Sequence, residues 1–297
     1  MSNKPRKMTL EKKHNLTGWA FLAPATFLIA VFSFWPMIKA LVLSFQTGKG
    51  RNMQMAGFTN YIRMFQDDVF IQSIKNTFFY FILQVPIMLV VAMVLACILN
   101  KKDLRFKGFF RTMIFVPCTT SLVAYSIIFW SLFANDGLVN YVLVNLGILD
   151  KPYNFLTQPF AAKIVIILAL LWRWTGYNMV FFLSGLQNIE YSVYEAAKID
   201  GASAIQTFFK ITVPLLKPTI LLTAIMSTNG TLQLFDESIN LTDGGPANAS
   251  ISMSHYIYNL CFKYVPNFGY AAAMSFFILL LVAVLAFIQM RVGDKRD

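Results

Sequence analysis

EAAKIDGASAIQTFFKITVPLLKP, residues Glu195 to Pro218, sets Glu195, Lys198, Asp200, Lys210 and Lys217 between two long apolar runs in a chain that is otherwise poor in charge. Val193, Tyr194, Ala197 and Ile199 give one short helix an apolar face, and Gly201 permits a sharp turn. Ile205, Phe208, Phe209 and Ile211 continue an apolar face on a second helix, which Pro214 ends or redirects. A helix-turn-helix with apolar and charged surface suits docking: Ala196 and Ala197 allow close approach, and Glu195 and Asp200 can meet basic groups of a partner. It equally suits an amphipathic segment lying on lipid headgroups, where an anionic leaflet attracts Lys198 and Lys210 and repels the two acids. Both readings stand at this level.

The surroundings are those of a membrane protein. Of 297 residues, 57% are hydrophobic and 13% charged, against about a quarter charged in soluble domains, and mean hydropathy is +0.58. Six segments reach the ~20 apolar residues needed to cross a bilayer: 18–45, 76–99, 112–133, 161–186, 213–235 and 269–290. The fold class expected is therefore an all-α membrane protein of six transmembrane helices. Residues 1–17 form an N-terminal tail, 18–290 the membrane domain with a loop at 187–214, and 291–297 a C-terminal tail.

The net charge of +11 orients such a chain; it does not mark a nucleic-acid binder, because the basic residues punctuate apolar runs and form no groove-facing surface. Lys4, Arg6, Lys7, Lys12, Lys13, Lys101, Lys102, Arg105, Lys107, Arg111, Lys198, Lys210, Lys217, Arg291, Lys295 and Arg296 fall on one side, 16 in all, against Lys49, Arg51, Arg63, Lys151 and Lys263, 5 in all, on the other. The first side, with both termini, is expected to be cytoplasmic. The N-terminal apolar run is too long for a signal peptide and reads as a retained first span. Pro24, Pro36, Pro86, Pro117, Pro214 and Pro218 lie in or at the ends of helices, so bent helices packed on other protein are implied. The outer loop 236–268, with its Asp243-Gly244-Gly245-Pro246 turn, is expected to be re-entrant or surface-lying. Cys97, Cys118 and Cys261 have no metal or disulfide spacing, and no metal site is expected. His14 and His255 read as solvated or interfacial, and Asp67 and Asp68 as residues of a solvated loop or, alternatively, of a docking point for a partner protein.

The central stretch resembles the EAA loop of the membrane subunits of binding-protein-dependent ABC importers: Glu195-Ala196-Ala197, three residues, Gly201, nine residues, then Ile211-x-x-Pro214. Val213 stands where that pattern prefers Leu. WRWTGYNMVFFLSGLQNI before it and LTDGGPANAS after it resemble the carbohydrate branch, and GWAFLAPATFLIAVFSFWPMIKALVLSF its maltose- and glycerol-phosphate-type permeases. The resemblance implies the type I permease fold, in a multi-pass bacterial cell-membrane protein that forms half of a sugar pathway. It implies as partners a second permease subunit, suggested by the basic, Phe-rich start to be a different chain, an ABC ATPase dimer and an extracytoplasmic solute-binding protein. It also implies that the loop is a coupling helix, with Glu195, Ala196, Ala197, Asp200, Gly201 and Pro214 at the ATPase. The chain has no G-x-x-x-x-G-K-[ST] cradle for a triphosphate, so it is expected not to be an enzyme and to bind no cofactor, ATP and Mg²⁺ belonging to the partner ATPase.

A sugar site needs polar groups matched to hydroxyls and a flat apolar face. Thr223, Ser227 and Thr231 fall at i, i+4 and i+8 on the fifth span, as a pathway stripe or as helix–helix glue, and Asn229 and Gln233 form a second pair round the helix. Trp174 and Tyr177 are i, i+3 neighbours on the fourth span, with Trp172 on another face and Asn178 beside them. Tyr177, Ser227 and Thr231 resemble positions lining the sugar site of the maltose-type permease, whereas Leu234 falls where a polar residue is expected. Trp174, Tyr177, Ser227 and Thr231 are the substrate-pathway candidates. Arg173, a charge near a span, either serves function, snorkels to the interface, or pairs with Asp236 or Glu237. The alternative function, an ion-gradient-driven secondary transporter of a small solute, calls for intramembrane acids or histidines and an internal repeat. A membrane-embedded enzyme calls for a cluster of His, Asp and Glu. The sequence presents neither.

Overall fold

The computed structural model describes residues 10–49, 52–101 and 103–293. The charges at Lys4, Arg6, Lys7, Arg51, Lys102, Lys295 and Arg296 lie outside the described residues, and of Lys13 and Lys49 only the backbone is described. The described residues are mostly helical, with one short antiparallel strand pair, β1 (Gln46–Lys49) with β2 (Asn52–Met55). The helices are α1 (Leu10–Ser44), α2 (Thr59–Met64), α3 (Asp68–Asn100), α4 (Lys107–Thr119), α5 (Leu122–Phe133), α6 (Leu138–Asn145) and α7 (Pro159–Gln187). They continue with α8 (Tyr191–Ile199), α9 (Ala204–Leu215), α10 (Lys217–Leu232), α11 (Asp236–Thr242), α12 (Met253–Tyr258) and α13 (Phe268–Gly293).

Five described helical segments are long and apolar enough to cross a membrane, or six where the bent pair Ala204–Leu215 and Lys217–Leu232 is taken as one span. Three depart from the straight spans read from the sequence. The first helix is already formed at Leu10, inside the stretch assigned to the 1–17 tail. The third span, expected at 112–133, breaks at Thr120 and Ser121, and its long apolar segment runs on from Leu122 to Asn145. The fifth, expected at 213–235, is a pair, α9 and α10, bent by 71°.

Proline chemistry accounts for much of this. Pro36 and Pro214 each follow a widened, π-type turn, Ala30–Phe34 and Phe208–Thr212. A proline has no N–H for the carbonyl four residues back, and its ring crowds that carbonyl, so the turn opens there. The redirection assigned to Pro214 follows two residues on, at Leu216, and Pro218 sits in the first turn of α10, where the missing N–H is dispensable.

The core forms where α3 lies along α7. Lipid tails are as apolar as Leu, so close packing and interhelical hydrogen bonds hold the helices together. Ala92 and Ala96 let α3 approach Met179, Phe182 and Leu183, and Leu216 closes this layer from the α9–α10 bend. A second layer joins Tyr80, Tyr125, Phe129, Ile166 and Leu170 to Leu234 and Leu241.

The 236–268 segment, left between re-entrant and surface-lying by the sequence, is folded back and pinned to α3. Asn76 Nδ2 donates to the carbonyls of Asn248 (3.1 Å) and Ile251 (2.9 Å), the Tyr80 hydroxyl donates to that of Ser250 (2.9 Å), and the Met253 amide donates to Thr77 Oγ1 (3.2 Å). His255, expected to be solvated or interfacial, is wholly buried on Ser238 (Nδ1 to Oγ, 2.9 Å), and burial pushes its pKa down to about 4. Asp67, expected in a solvated loop, caps α3 through the Val69 and Phe70 amides and accepts the hydroxyls of Tyr256 (2.7 Å) and Tyr270 (2.8 Å). Burial raises its pKa, but these bonds outweigh that and hold it below the usual value.

Candidate functional site: a central cavity and a coupling loop

Trp174, Tyr177, Ser227 and Thr231 line one cavity of about 310 Å³, at the small end of ligand pockets, which run from about 300 to 1,000 Å³. α7 brings the aromatic pair, whose rings stand edge to face with centroids 5.8 Å apart, and α10 brings the hydroxyls. Both hydroxyls are also interhelical ties: Ser227 Oγ donates to Asn178 Oδ1 (3.3 Å) and Thr231 Oγ1 to Gln84 Oε1 (2.9 Å). Pathway lining and helix glue, alternatives in the sequence, coincide here. Thr223, third of the stripe, is buried and bonds back to the carbonyls of Thr219 and Ile220. Asn229 and Gln233 bond each other at 2.5 Å; Gln233 reaches the cavity and Asn229 does not. Leu234 lines the wall as an apolar residue.

Sequence reasoning missed Gln84, although a lone amide in the apolar run FILQVPIM was a signal. It also read Asp236 and Glu237 only as partners for Arg173. They line the cavity, Glu237 with 4% exposure, and the Tyr125 hydroxyl donates to the Glu237 carboxyl. Burial pushes that carboxyl above its usual range against the pull of the Tyr125 bond. Arg173 neither snorkels nor makes a salt bridge among the described residues. It is 6% exposed, donates from Nη1 to the Thr120 carbonyl (2.9 Å), and lies over the Tyr125 ring at 4.8 Å. A cation thus caps the C-terminal end of α4, where the third span breaks.

At the other end of α10 stands the charged stretch. α8 ends in a Schellman turn: Gly201 has φ +75°, its N–H donates to Lys198 O (3.2 Å), and Ala202 N–H donates to Ala197 O (2.9 Å). Ser203 and Gln206 form a capping box that starts α9. Ala197 is buried, whereas Glu195, Ala196, Asp200, Gly201 and Pro214 are exposed, and Glu195 and Asp200 make no salt bridge among the described residues. Beside them Ile199, Ile205 and Phe209 are 86%, 73% and 64% exposed. The loop therefore presents unpaired acids and large apolar side chains together.

Residues 70–296 match the family model of the binding-protein-dependent transport system inner membrane component. The chain is 51% identical over 292 residues to the lactose transport system permease protein LacF of Rhizobium radiobacter, covering 98% of each. It is 34% identical to the multiple sugar-binding transport system permease protein MsmF of Streptococcus mutans, covering 97% of this chain and 99% of that one. Its fold matches a chain of a bacterial ABC transporter involved in the import of the acidic polysaccharide alginate, with TM-score 0.85, 24% identity and coverage of 97% and 98%. The chain thus belongs to the binding-protein-dependent transport system inner membrane component family, and is the multi-pass permease subunit of an ABC importer in the bacterial cell membrane, not its ATPase.

Proposed function

We propose how this permease subunit of an ABC sugar importer divides its work between the cavity and the loop. The sugar passes by Trp174, Tyr177, Ser227 and Thr231, with the rings as apolar platform and the hydroxyls as polar contacts. The coupling helix, through Glu195, Ala196, Ala197, Asp200 and Gly201, docks on a separate ATPase dimer that holds ATP and Mg²⁺. A second permease, a different chain, supplies the other half of the pathway, and a solute-binding protein delivers the cargo, a lactose-type disaccharide by analogy with the 51% identical relative.

One observation carries this reading. α10 bears Ser227 and Thr231 into the cavity, and its other end joins the docking loop through the 71° bend at Leu216, itself buried at 1% exposure. A displacement of the loop therefore reaches the cavity wall through one rigid element. The test is reconstitution in liposomes with the partner permease, ATPase and binding protein. Lactose should stimulate ATP hydrolysis and enter only with ATP present; uptake by this chain alone, driven by an ion gradient, would overturn the reading.

A further inference from the structure

Each sugar hydroxyl carries one proton to give as well as lone pairs that accept, so a binding site must supply acceptors, and most polar side chains in this cavity already make one bond. Ser227 and Thr231 give their protons to Asn178 and Gln84, the Gln84 amide is turned to the Met88 sulfur (3.0 Å), and the Gln233 amide to Asn229. Two carboxyls in the first turn of α11 differ: Asp236, half-buried, has no side-chain bond among the described residues, and Glu237, buried, takes the Tyr125 hydroxyl on one oxygen and its own backbone amide, with no other side-chain partner among the described residues. Arg173, behind Tyr125, donates to Thr120 and acts on the Glu237 carboxyl through its charge alone, without a salt bridge among the described residues. Burying such a group costs free energy unless something bonds it, and Glu237, the more buried of the two, lines the same cavity as Trp174 and Tyr177.

We infer that Glu237 is a cargo-binding residue: its carboxyl, held in place by Tyr125, accepts hydroxyls of the saccharide while the two aromatic rings take its apolar face. The inference rests on reading the cavity as the sugar site. It assigns specificity to a position on α11, outside the spanning helices, and predicts a neutral polyhydroxylated cargo with adjacent hydroxyls turned toward this wall.

Calorimetric titration of lactose into the purified complex of both permeases and the ATPase, without solute-binding protein, tests it. Glu237→Leu should raise Kd at least tenfold, Glu237→Gln about threefold since an amide oxygen remains, and Tyr125→Phe less than threefold since the carboxyl stays on the wall. A set of deoxy-lactoses gives a readout that a structural role would not move: one should bind about tenfold more weakly than lactose to the wild type and equally to Glu237→Leu. Should Glu237→Leu fail to assemble, Glu237→Gln with the same deoxy series decides. No lactose binding by the wild type removes the cavity reading and this one with it. Lactose binding that is unchanged in the Glu237 variants, or a Tyr125→Phe loss equal to that of Glu237→Leu, overturns this inference alone.

Discussion

Gly176 of α7 lies against the backbone of α4 so closely that a Cβ placed there would stand 1.9 Å from the Ile114 carbonyl oxygen. The obstacle is backbone inside a helix, which cannot swing aside. Gly176→Ala should therefore force the two helices apart and cost roughly 1–3 kcal/mol, read as a lowered Tm in detergent. Gly185→Ala should cost less, because the atoms in its way are the side-chain tips Leu216 Cδ2 (2.8 Å) and Thr219 Oγ1 (2.9 Å). The reverse order would contradict this account of the α4–α7 contact.

Gly201 poses the opposite case. A Cβ there meets nothing within 4 Å, yet φ is +75°, so a substitution strains the backbone without a clash. Gly201→Val should cost about 1–2 kcal/mol locally, leave membrane insertion intact, and lower lactose-stimulated ATPase at least tenfold. Gly201→Asn, which tolerates the left-handed region, should restore most of that activity. Full coupling in the Val variant would detach the turn from transport.

Arg173 should prove structural first. Arg173→Met leaves the Thr120 carbonyl without its charged donor and should destabilise by roughly 2 kcal/mol. Arg173→Lys should recover only part, since an ammonium can reach a carbonyl but cannot stack over the Tyr125 ring as a planar guanidinium does. Unchanged melting in Arg173→Met would refute the capping role.

His255 sets an acid limit. Its folded pKa, about 4, lies below the ordinary histidine value of 6.5, so the unfolded chain takes up the proton first. The stabilisation is fully present above pH ~6.5 and is lost as pH falls toward ~4, by an amount on the order of 3 kcal/mol. Unfolding in detergent across that window should show the slope, and His255→Gln should flatten it. An identical slope in the variant would place the titrating group elsewhere.

Much of the molecule was legible in the sequence. Apolar runs of bilayer length gave the spans, since a spanning segment must satisfy its own backbone as helix. The spacing around Gly201 located the exposed helix-turn-helix, because its turn demands a left-handed residue, which Gly201 supplies. Periodicity put Ser227 and Thr231 on one face of a helix, and Trp174 and Tyr177 on one face of another. It could not pair those faces, and in the structure they meet across one cavity.

What the sequence by itself determined is therefore local and periodic: helix content, span number, the charged loop and the candidate faces. The tertiary structure alone decided the rest, because the deciding contacts join residues far apart in the chain. Asn76 holds Asn248 and Ile251, Gln84 holds Thr231, and Tyr125 meets Glu237. The bonds from Asn76 and Tyr125 fold the 236–268 segment back onto the helices, with Asp236 and Glu237 in the cavity wall, and no pattern of neighbouring residues encodes which distant carbonyl or carboxyl a buried amide or hydroxyl will find.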